Sequence, residues 1–454
     1  MPNMILPLAR DKDPIWKQKF QNIKKITPEI KKLVRDMRET LELTSAVGLA
    51  APQVGKPLRL FIANYGHLKE VFINPWIASR GKETNPLEEG CLSVPCTRGE
   101  VARSKEVEIE YLDLKGHRKV AKLAGYYARI AQHEYDHLSS VFYADRILDK
   151  KKVYKYKPIK IVFFGTPEFG AIILKSLIGQ QIVGEYTIPL VVTALDKPAG
   201  RGRQLTASQV KKLASEFGLP VETLQSLKGN TKFISKLKSI SPDFIVLASY
   251  GKIIPREILE IPTKAPINIH PSLLPKYRGP SPISAAILAG NPSTGVTIMA
   301  MNEKMDEGDI LAAAKVRISS RDTTESLGTK LANLGATLVL HVLHLMTLDK
   351  IQPQPQDSRQ ATYTKILEKK DGYIDWKKPP ENLERMTRAY HPWPGAWTYY
   401  LPVQQTGQQT ANREQRTAKK ILKLLPNHMA QLEGKNPVSL EEFKRGHSDF
   451  TLSW

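Results

Sequence analysis

The feature that most constrains the fold is an alternation of apolar, strand-like runs with helical patterns between residues 159 and 289. The run at 159–164 is almost unbroken in apolar residues, which is typical of a strand buried on both faces. The pattern predicts strands at 159–164, 190–195, 244–248 and 266–269, and helices at 207–217 and 282–289. Such alternation predicts a doubly wound α/β domain with a mostly parallel sheet.

Two polar residues lie at the end of the last of these strands. Asn268 and His270 are two positions apart on an element of period two, so their side chains face the same side. In open sheets of this kind, ligands bind beyond the carboxyl ends of strands. Asp306, beside Gly308 in a later loop, can orient the imidazole, while the Asn268 amide can donate to a developing oxyanion. The three residues predict an acyl-transfer site without a covalent nucleophile.

The residues around this triad carry a resemblance. The motif N-x-H, followed by SLLPKYRG and later by MDEGDIL, resembles the formyltransferases that use 10-formyltetrahydrofolate, and the wider context is similar to methionyl-tRNA formyltransferase. The resemblance implies that Asn268 and His270 stabilise the oxyanion, and that His270 and Asp306 relay the proton of the attacking amine. It also implies a folate-binding loop formed by Ser272, Leu273, Leu274 and Pro275.

A basic loop precedes that site in the chain. The sequence DKPAGRGR at 196–203 resembles the segment that formyltransferases wedge toward the acceptor end of tRNA. Its glycines permit mobility, and Lys197, Arg201 and Arg203 would contact phosphates. Initiator methionyl-tRNA is therefore the expected partner.

Composition limits the partners and the compartment. The net charge of +22 and the pI near 9.7 favour a polyanion, either a nucleic acid or an acidic membrane surface. No run approaches 18 apolar residues and the first residues carry charges, so neither a membrane span nor a secretion signal is expected. Only Cys91 and Cys96 are present, which argues against a disulfide framework and predicts a cytoplasmic protein.

The first third of the chain contains a metal-ligand pattern. His133 and His137 stand four positions apart on a helix predicted over 123–138, so both imidazoles can bind one divalent cation. Glu134 between them is angled toward a metal-bound water. The segment 88–95, which we predict to be an exposed loop, supplies Cys91 as a third ligand. Two imidazoles, a thiolate and a water would complete a tetrahedral site with one open position.

Three motifs in order, GLAAPQ, EGCLS and HEYDH, resemble peptide deformylase across essentially the whole first third. The resemblance implies an α+β fold and a metal held by Cys91, His133 and His137, with Fe²⁺ as the usual ion and Zn²⁺ or Ni²⁺ as substitutes. It implies an enzyme that removes the formyl group from nascent peptides.

The same resemblance assigns roles around the metal. Glu134 would act as general base and then as acid. The Gln53 amide and the Leu92 backbone N–H would stabilise the tetrahedral oxyanion. Gly48 would let the substrate strand pass close by. The chain has little of the C-terminal helix that many deformylases carry, so docking on the ribosome would need another element.

These segments predict a multidomain chain. We expect a deformylase domain at 1–149, a basic linker at 150–158, a formyltransferase catalytic domain at 159–347 and a C-terminal domain at 360–454. The linker is either an extended tether or an RNA-contacting strip in which Tyr154 and Tyr156 stack on bases. HPWPGAW at 391–397 resembles the opening of a small, β-rich, OB-like domain that binds tRNA. The polar run at 404–416 stands where further strands are expected, so this domain is predicted to be shortened.

The combined expectation is a bifunctional enzyme of translation initiation. Two alternatives stay open at this point. In the first, the Asn268, His270 and Asp306 site formylates an amino sugar on a nucleotide. In the second, the C-terminal half is a weakly catalytic RNA-binding module that localises the deformylase.

Overall fold

The computed structural model describes residues 6–44, 46–199, 204–400 and 420–447. The chain divides into two compact units. The first comprises Met1–Ile161 and Lys175–Pro189, and the second comprises Val162–Leu174 and Leu190–Trp454. The boundaries between the two units fall inside two strands and one helix between residues 159 and 193.

Among its described residues, the first unit contains two antiparallel sheets and two complete helices. The helices are α1 (Pro28–Thr44) and α2 (Tyr126–His137). The strands are β1 (Gly48–Ala50), β2 (Leu60–Tyr65), β3 (Leu68–Arg80), β4 (Thr84–Cys91), β5 (Val94–Ser104), β6 (Glu106–Leu112), β7 (Arg118–Ala124) and β8 (Tyr154–Lys155). One sheet has the order β1-β2-β3-β6-β7 and the other β4-β5-β8. The α+β expectation is confirmed.

The helices of this unit bury apolar side chains against residues of its strands. Residues of α1 at helical spacing, Leu33, Val34, Met37 and Leu41, pack with Leu49, Leu60 and Ile73. On α2, Ala128, Ile130 and Ala131 pack with Phe61 and Phe72. Full burial of one large apolar side chain contributes about 1.5–3 kcal/mol, so these contacts fix where α2 lies.

Two local predictions in this unit are wrong. The helix predicted over 123–138 begins at Tyr126, because Arg118–Ala124 forms β7 against β6. The segment 88–95 is not an exposed loop, since β4 and β5 form a hairpin there and Glu89 and Ser93 are buried. Arginine partners distant in sequence neutralise Glu89, so a charged residue that reads as exposed is buried in a strand.

The basic linker is not a free tether. Tyr154–Lys155 forms β8, which pairs antiparallel with β5 through Thr97 opposite Lys155. The Tyr156 N–H donates to the Cys96 carbonyl at 3.1 Å, and the Tyr156 hydroxyl donates to Glu185. The linker is therefore anchored on β5 at these residues, and base stacking by Tyr154 and Tyr156 stays a prediction. An unpaired strand edge exposes N–H and C=O groups, and the linker satisfies those of β5.

The second unit contains the predicted α/β alternation. Its helices are α3 (Glu168–Val183), α4 (Gln209–Glu216), α5 (Thr231–Ile240), α6 (Arg256–Leu259), α7 (Pro282–Leu288) and α8 (Thr324–Thr347). Its strands are β9 (Ile159–Gly165), β10 (Tyr186–Thr193), β11 (Lys197–Ala199), β12 (Gln204–Thr206), β13 (Val221–Thr223), β14 (Phe244–Ala248), β15 (Ala265–His270), β16 (Ser293–Ala300) and β17 (Ile310–Arg317). Both α3 and the strands β9 and β10 begin or end in the first unit's ranges.

Seven of these strands form one sheet in the order β13-β10-β9-β14-β15-β16-β17. Pairing is parallel between β10 and β13 and between β14 and β15. The doubly wound, mostly parallel sheet is confirmed. At one edge of the sheet, β16 pairs antiparallel with β15 and β17 pairs antiparallel with β16, which the sequence pattern did not predict. The remaining strands β11 and β12 form a separate hairpin.

The C-terminal part is β-rich, as expected. It contains α9 (Leu383–Ala389), the strands β18 (Ala396–Tyr400), β19 (Lys420–Leu425), β20 (Met429–Leu432) and β21 (Val438–Ser439), and α10 (Leu440–Gly446). The four strands pair antiparallel in chain order. The polar run at 404–416 lies outside the described residues. Within the described part of the chain, the helices are all too short or too polar to cross a membrane.

Candidate active sites

Helix α2 and strand β4 bring the three predicted metal ligands together. His133 and His137 lie one helical turn apart, with ring centroids 4.9 Å from each other. Cys91, the last residue of β4, places its Sγ 3.3 Å from His137 Nε2. One donor atom from each of Cys91, His133 and His137 lies within 4.8 Å of the others. We call these residues the Cys-His-His site.

Glu89 supports this site from the neighbouring strand position. Its Oε2 lies 2.9 Å from His133 Nδ1, which leaves Nε2 of that ring as the ligand atom. Arg103 binds the same carboxylate through two hydrogen bonds of 2.7 and 2.9 Å, and Arg129 also donates to it. Burial alone would raise the pKa of Glu89, but the hydrogen bonds from His133 and Arg103 hold it well below its usual range.

The electrostatics of the two imidazoles fit a cation. Burial lowers the pKa of His137 well below its usual value, which keeps that ring neutral and able to donate a lone pair. Burial also lowers the pKa of His133, but its hydrogen bonds to Cys91 and Glu89 outweigh this and raise the pKa to about 10. A bound metal would therefore displace a proton from His133, as metals do from their ligands. The donor set of one thiolate and two imidazoles suits Fe²⁺, Zn²⁺ or Ni²⁺.

Glu134 is a buried carboxylate beside these ligands. Its side chain is 4% exposed and its Oε2 has no hydrogen-bond partner among the described residues. Burial raises the pKa of Glu134 to about 7. A Cβ atom built on Gly48 would lie 2.4 Å from Glu134 Oε1. Gly48 therefore makes room for Glu134, which is a different role from the predicted passage of a substrate strand.

The two predicted oxyanion donors lie next to Cys91. Gln53 is 1% exposed, and its Oε1 accepts from the Ala50 N–H at 2.8 Å. Because that bond fixes the amide, its Nε2 points to Cys91 Sγ and Ser93 Oγ, each at 3.5 Å. Leu92 occupies the turn between β4 and β5, and its carbonyl accepts from Arg10 at 2.7 Å. The assigned oxyanion roles of Gln53 and Leu92 stay predictions.

A second group of side chains meets at the end of β15. Asn268 and His270 project from the same face of this strand, which lies between β14 and β16. Asn268 Nδ2 donates to Asp306 Oδ1 at 3.1 Å, and His270 Nδ1 lies 3.6 Å from Asp306 Oδ2. The backbone N–H of Gly279 also donates to Asp306 Oδ2, at 2.8 Å. We call Asn268, His270 and Asp306 the Asn-His-Asp site.

The hydrogen bonds of His270 define its orientation. Its Nε2 lies 2.9 Å from the Tyr277 carbonyl oxygen, which can only accept. Nε2 therefore carries a hydrogen, and Nδ1 faces Asp306. One N–H of the Asn268 amide is already used by Asp306, so the predicted donation to an oxyanion falls to its second N–H.

Comparison with known proteins assigns each part of the chain. Residues 5–153 match the family model described as polypeptide deformylase, 159–343 match formyl transferase, and 366–430 match the formyl transferase C-terminal domain. The chain is 45% identical over 243 residues to the methionyl-tRNA formyltransferase of Roseiflexus sp. (strain RS-1), which covers 54% of this chain and 74% of that protein. The chain belongs to the methionyl-tRNA formyltransferase family. Its N-terminal third is a polypeptide deformylase domain.

Two further matches cover nearly the full length of the proteins compared. The methionyl-tRNA formyltransferase of Pseudoalteromonas translucida (strain TAC 125) is 38% identical over 314 residues, or 65% of this chain and 96% of that protein. The solved peptide deformylase of Thermotoga maritima is 37% identical, covering 32% of this chain and 99% of that one with a TM-score of 0.32. The family models and the curated relatives confirm the predicted joining of a deformylase to a methionyl-tRNA formyltransferase. The domain limits expected from the sequence stay predictions.

The predicted folate loop of the formyltransferase domain is internally bonded. The Ser272 hydroxyl donates to the Lys276 carbonyl at 2.7 Å, and the Leu274 N–H donates to Thr297 Oγ1 at 3.1 Å. Ser272 and Leu274 are buried, while Leu273 packs close to Gly295. Their side chains thus shape the loop from within, and Pro275 closes it. Folate contact at these four residues stays a prediction.

The predicted tRNA loop is described only in part. Lys197 begins β11 and pairs with Thr206 of β12 across the hairpin. Arg201 and Arg203 lie outside the described residues. Phosphate contact by Lys197, Arg201 and Arg203 stays a prediction.

Several residues of these sites were not identified from the sequence. Glu89 is part of the EGCLS motif, and its acidic side chain beside a ligand was the available signal. Tyr277, within SLLPKYRG, contributes a backbone carbonyl, which no side-chain pattern reveals. Arg103 and Arg129 gave no local signal, because they reach Glu89 only through the fold.

Proposed function

We propose that this chain is a bifunctional enzyme that removes formyl groups from nascent peptides and transfers formyl groups to methionyl-tRNA. The observation that supports the proposal is that the deformylase domain and the formyltransferase domain each bring their predicted reactive side chains together. The Cys-His-His site with Glu134 belongs to one domain, and the Asn-His-Asp site to the other. Both proposed reactions act on the same one-carbon acyl group.

For deformylation, the side chains of the first domain divide the work. A divalent cation held by Cys91, His133 and His137 would activate the attacking water. Glu134 accepts the proton of that water and returns it to the amine that leaves. Gln53 donates its amide hydrogen to the oxyanion. Formate and a free amino terminus are the products.

For formyl transfer, the methionyl amine attacks the formyl carbon of 10-formyltetrahydrofolate. The carbonyl oxygen gains negative charge, which the second N–H of Asn268 stabilises. The His270 and Asp306 pair takes the proton of the amine and delivers it to N10 as the carbon–N10 bond breaks. Formyl-methionyl-tRNA and tetrahydrofolate leave. No nucleophilic side chain is acylated.

The acceptor is methionyl-tRNA rather than a nucleotide amino sugar. The relatives named above carry methionyl-tRNA in their names, and the chain includes a C-terminal domain of the formyl transferase type. The basic hairpin that begins at Lys197 supports a phosphate-rich partner. We place the protein in the cytoplasm with the translation machinery, where the nascent-peptide substrate brings it to the ribosome.

The proposal is tested by removing the metal. A chelator should abolish deformylation of formyl-Met-Ala-Ser, and Fe²⁺ should restore it. Transfer from 10-formyltetrahydrofolate to methionyl-tRNA should persist in the same sample, because no metal-ligand cluster lies at the Asn-His-Asp site within the described residues. Absence of either activity in the metal-loaded protein would contradict the proposal.

A second test concerns a futile cycle. Formyl-methionyl-tRNA carries no peptide beyond methionine, so the deformylase domain should leave the transferase product intact. Purified metal-loaded protein incubated with formyl-methionyl-tRNA should release little formate. Rapid formate release would contradict this separation of substrates.

A further inference from the structure

We propose that Gln356 is a positioning residue for formyl transfer, which holds the Asp306 turn in its working geometry. Gln356 lies in the segment that connects the formyltransferase domain to the C-terminal domain, far along the chain from the Asn-His-Asp site. The inference rests on the formyl-transfer function proposed above and adds a residue that touches no reacting atom.

The Gln356 amide joins two parts of the site. Its Nε2 donates to the carbonyl oxygens of Asp306 at 2.9 Å and Gly308 at 2.7 Å. Its Oε1 accepts from Nε and Nη2 of Arg278 at 3.1 and 2.9 Å. Both amide hydrogens and both lone pairs are therefore used.

This arrangement admits one orientation of the amide. Arg278 is 1% exposed and can only donate, while the two carbonyls can only accept. A flipped amide would set N–H groups against the guanidinium and an oxygen against two oxygens. The buried arginine thus fixes Gln356, and Gln356 fixes the two carbonyls.

The Asp306 turn needs such a restraint. Asp306 has a φ of 54°, in the left-handed region that is unfavourable for residues other than glycine. A Cβ at Gly308 would lie 1.6 Å from the Ala300 carbonyl oxygen, so the turn is also tightly packed. Relaxation of the Asp306 backbone would move its carboxylate away from Asn268 and His270.

The same connecting segment also reaches His270. The Tyr277 N–H donates to Thr362 Oγ1 at 2.8 Å, and the Tyr277 carbonyl faces His270 Nε2 at 2.9 Å. The Arg278 N–H donates to the Thr362 carbonyl at 2.8 Å. One segment therefore restrains Asp306 through Gln356 and His270 through Thr362 and Tyr277.

The test compares steady-state formyl transfer in the full chain with two near-isosteric variants. Gln356→Glu keeps an acceptor for Arg278 but loses both donors, and Gln356→Met keeps the volume but loses every hydrogen bond. Both should lower kcat by about 10- to 100-fold, because small displacements of catalytic groups cost rates of this size. KM for 10-formyltetrahydrofolate and for methionyl-tRNA should stay within about twofold, since the binding surfaces are intact.

Two controls separate positioning from folding. Gln354→Ala, two residues away, removes an exposed side chain, while the Gln354 backbone keeps its hydrogen bonds to Ile310. This variant should transfer formyl at the wild-type rate. Deformylation by every variant should equal that of the wild type. Gln356→Met should unfold at a lower temperature because the buried Arg278 loses a partner, so the unchanged KM values are what distinguish positioning from misfolding.

The outcomes are distinct. Wild-type kcat in either Gln356 variant would overturn the positioning role. A fall in kcat together with a rise in both KM values and a lower unfolding temperature would also overturn it, because it would indicate general misfolding. A wild-type protein without formyl transfer would overturn the proposed function and this inference together.

Discussion

Gly48 and Glu134 lie so close that a Cβ atom at position 48 would fall 2.4 Å from Glu134 Oε1. The same Cβ atom would lie 2.7 Å from each of two carbon atoms of Glu134, Cγ and Cδ. Gly48 of the GLAAPQ motif thus leaves the space that the side chain of Glu134, in the HEYDH motif, occupies. The two sequence motifs are coupled by contact and not only by a shared substrate.

Gly48→Ala should therefore displace Glu134 and lower kcat/KM for formyl-Met-Ala-Ser by about 100-fold or more. Formyl transfer by the same protein should be unchanged. Gly81→Ala is the matched control, because a Cβ there would meet only ordinary contacts of 3.5 Å or more. Full deformylase activity in Gly48→Ala would show that Glu134 can keep its position beside a Cβ atom at residue 48, which would contradict this prediction.

Glu89→Gln should weaken metal binding by about 10- to 100-fold, because it removes the charged partner that orients His133. Competition against a chromophoric chelator measures the Zn²⁺ dissociation constant directly. Glu88→Gln serves as the control, since Glu88 is the exposed neighbour on the same strand. Equal affinities for the two variants would mean that Glu89 plays no part in holding the metal.

The Cys96 thiol should react slowly at neutral pH. Burial, with Glu185 adding to it, raises the pKa of Cys96 to about 11, and the thiol donates to the Gly184 carbonyl at 3.1 Å. Since only the thiolate is nucleophilic, the alkylation rate should rise about tenfold per pH unit up to the raised pKa. Mass spectrometry after timed iodoacetamide treatment measures this rate. A plateau near pH 9, as in a short peptide containing Cys96, would contradict the burial effect.

Asn268→Asp should lower kcat for formyl transfer by about 10²- to 10³-fold. The new carboxylate would face Asp306 Oδ1 across 3.1 Å and could not donate to an oxyanion. Initial rates with methionyl-tRNA measure the loss. Asn333→Asp, at an exposed position of α8, should have no effect, and comparable losses in both variants would argue against a specific role for Asn268.

The sequence predicted those parts of the structure that depend on local periodicity. The spacing of Asn268 and His270 on a strand, and of His133 and His137 on a helix, is enough to place each pair on one face. The apolar runs likewise predicted the strands of the central sheet, such as β14.

Features that depend on distant partners were not predictable in this way. Glu89 reads as an exposed acid until Arg103 and Arg129 are brought to it. The linker reads as a basic tether until Lys155 pairs with Thr97. Gln356 ends the run QPQPQ at 352–356, which gives no local signal for a site, and its four hydrogen bonds arise from tertiary contacts.

The central claim is that two separate catalytic sites operate in one chain. It is tested most directly by assaying both reactions in the wild type and in Glu134→Ala and His270→Ala. Glu134→Ala should lose deformylation and keep formyl transfer, whereas His270→Ala should show the reverse. Loss of both reactions in either variant, or retention of the targeted reaction, would contradict the account.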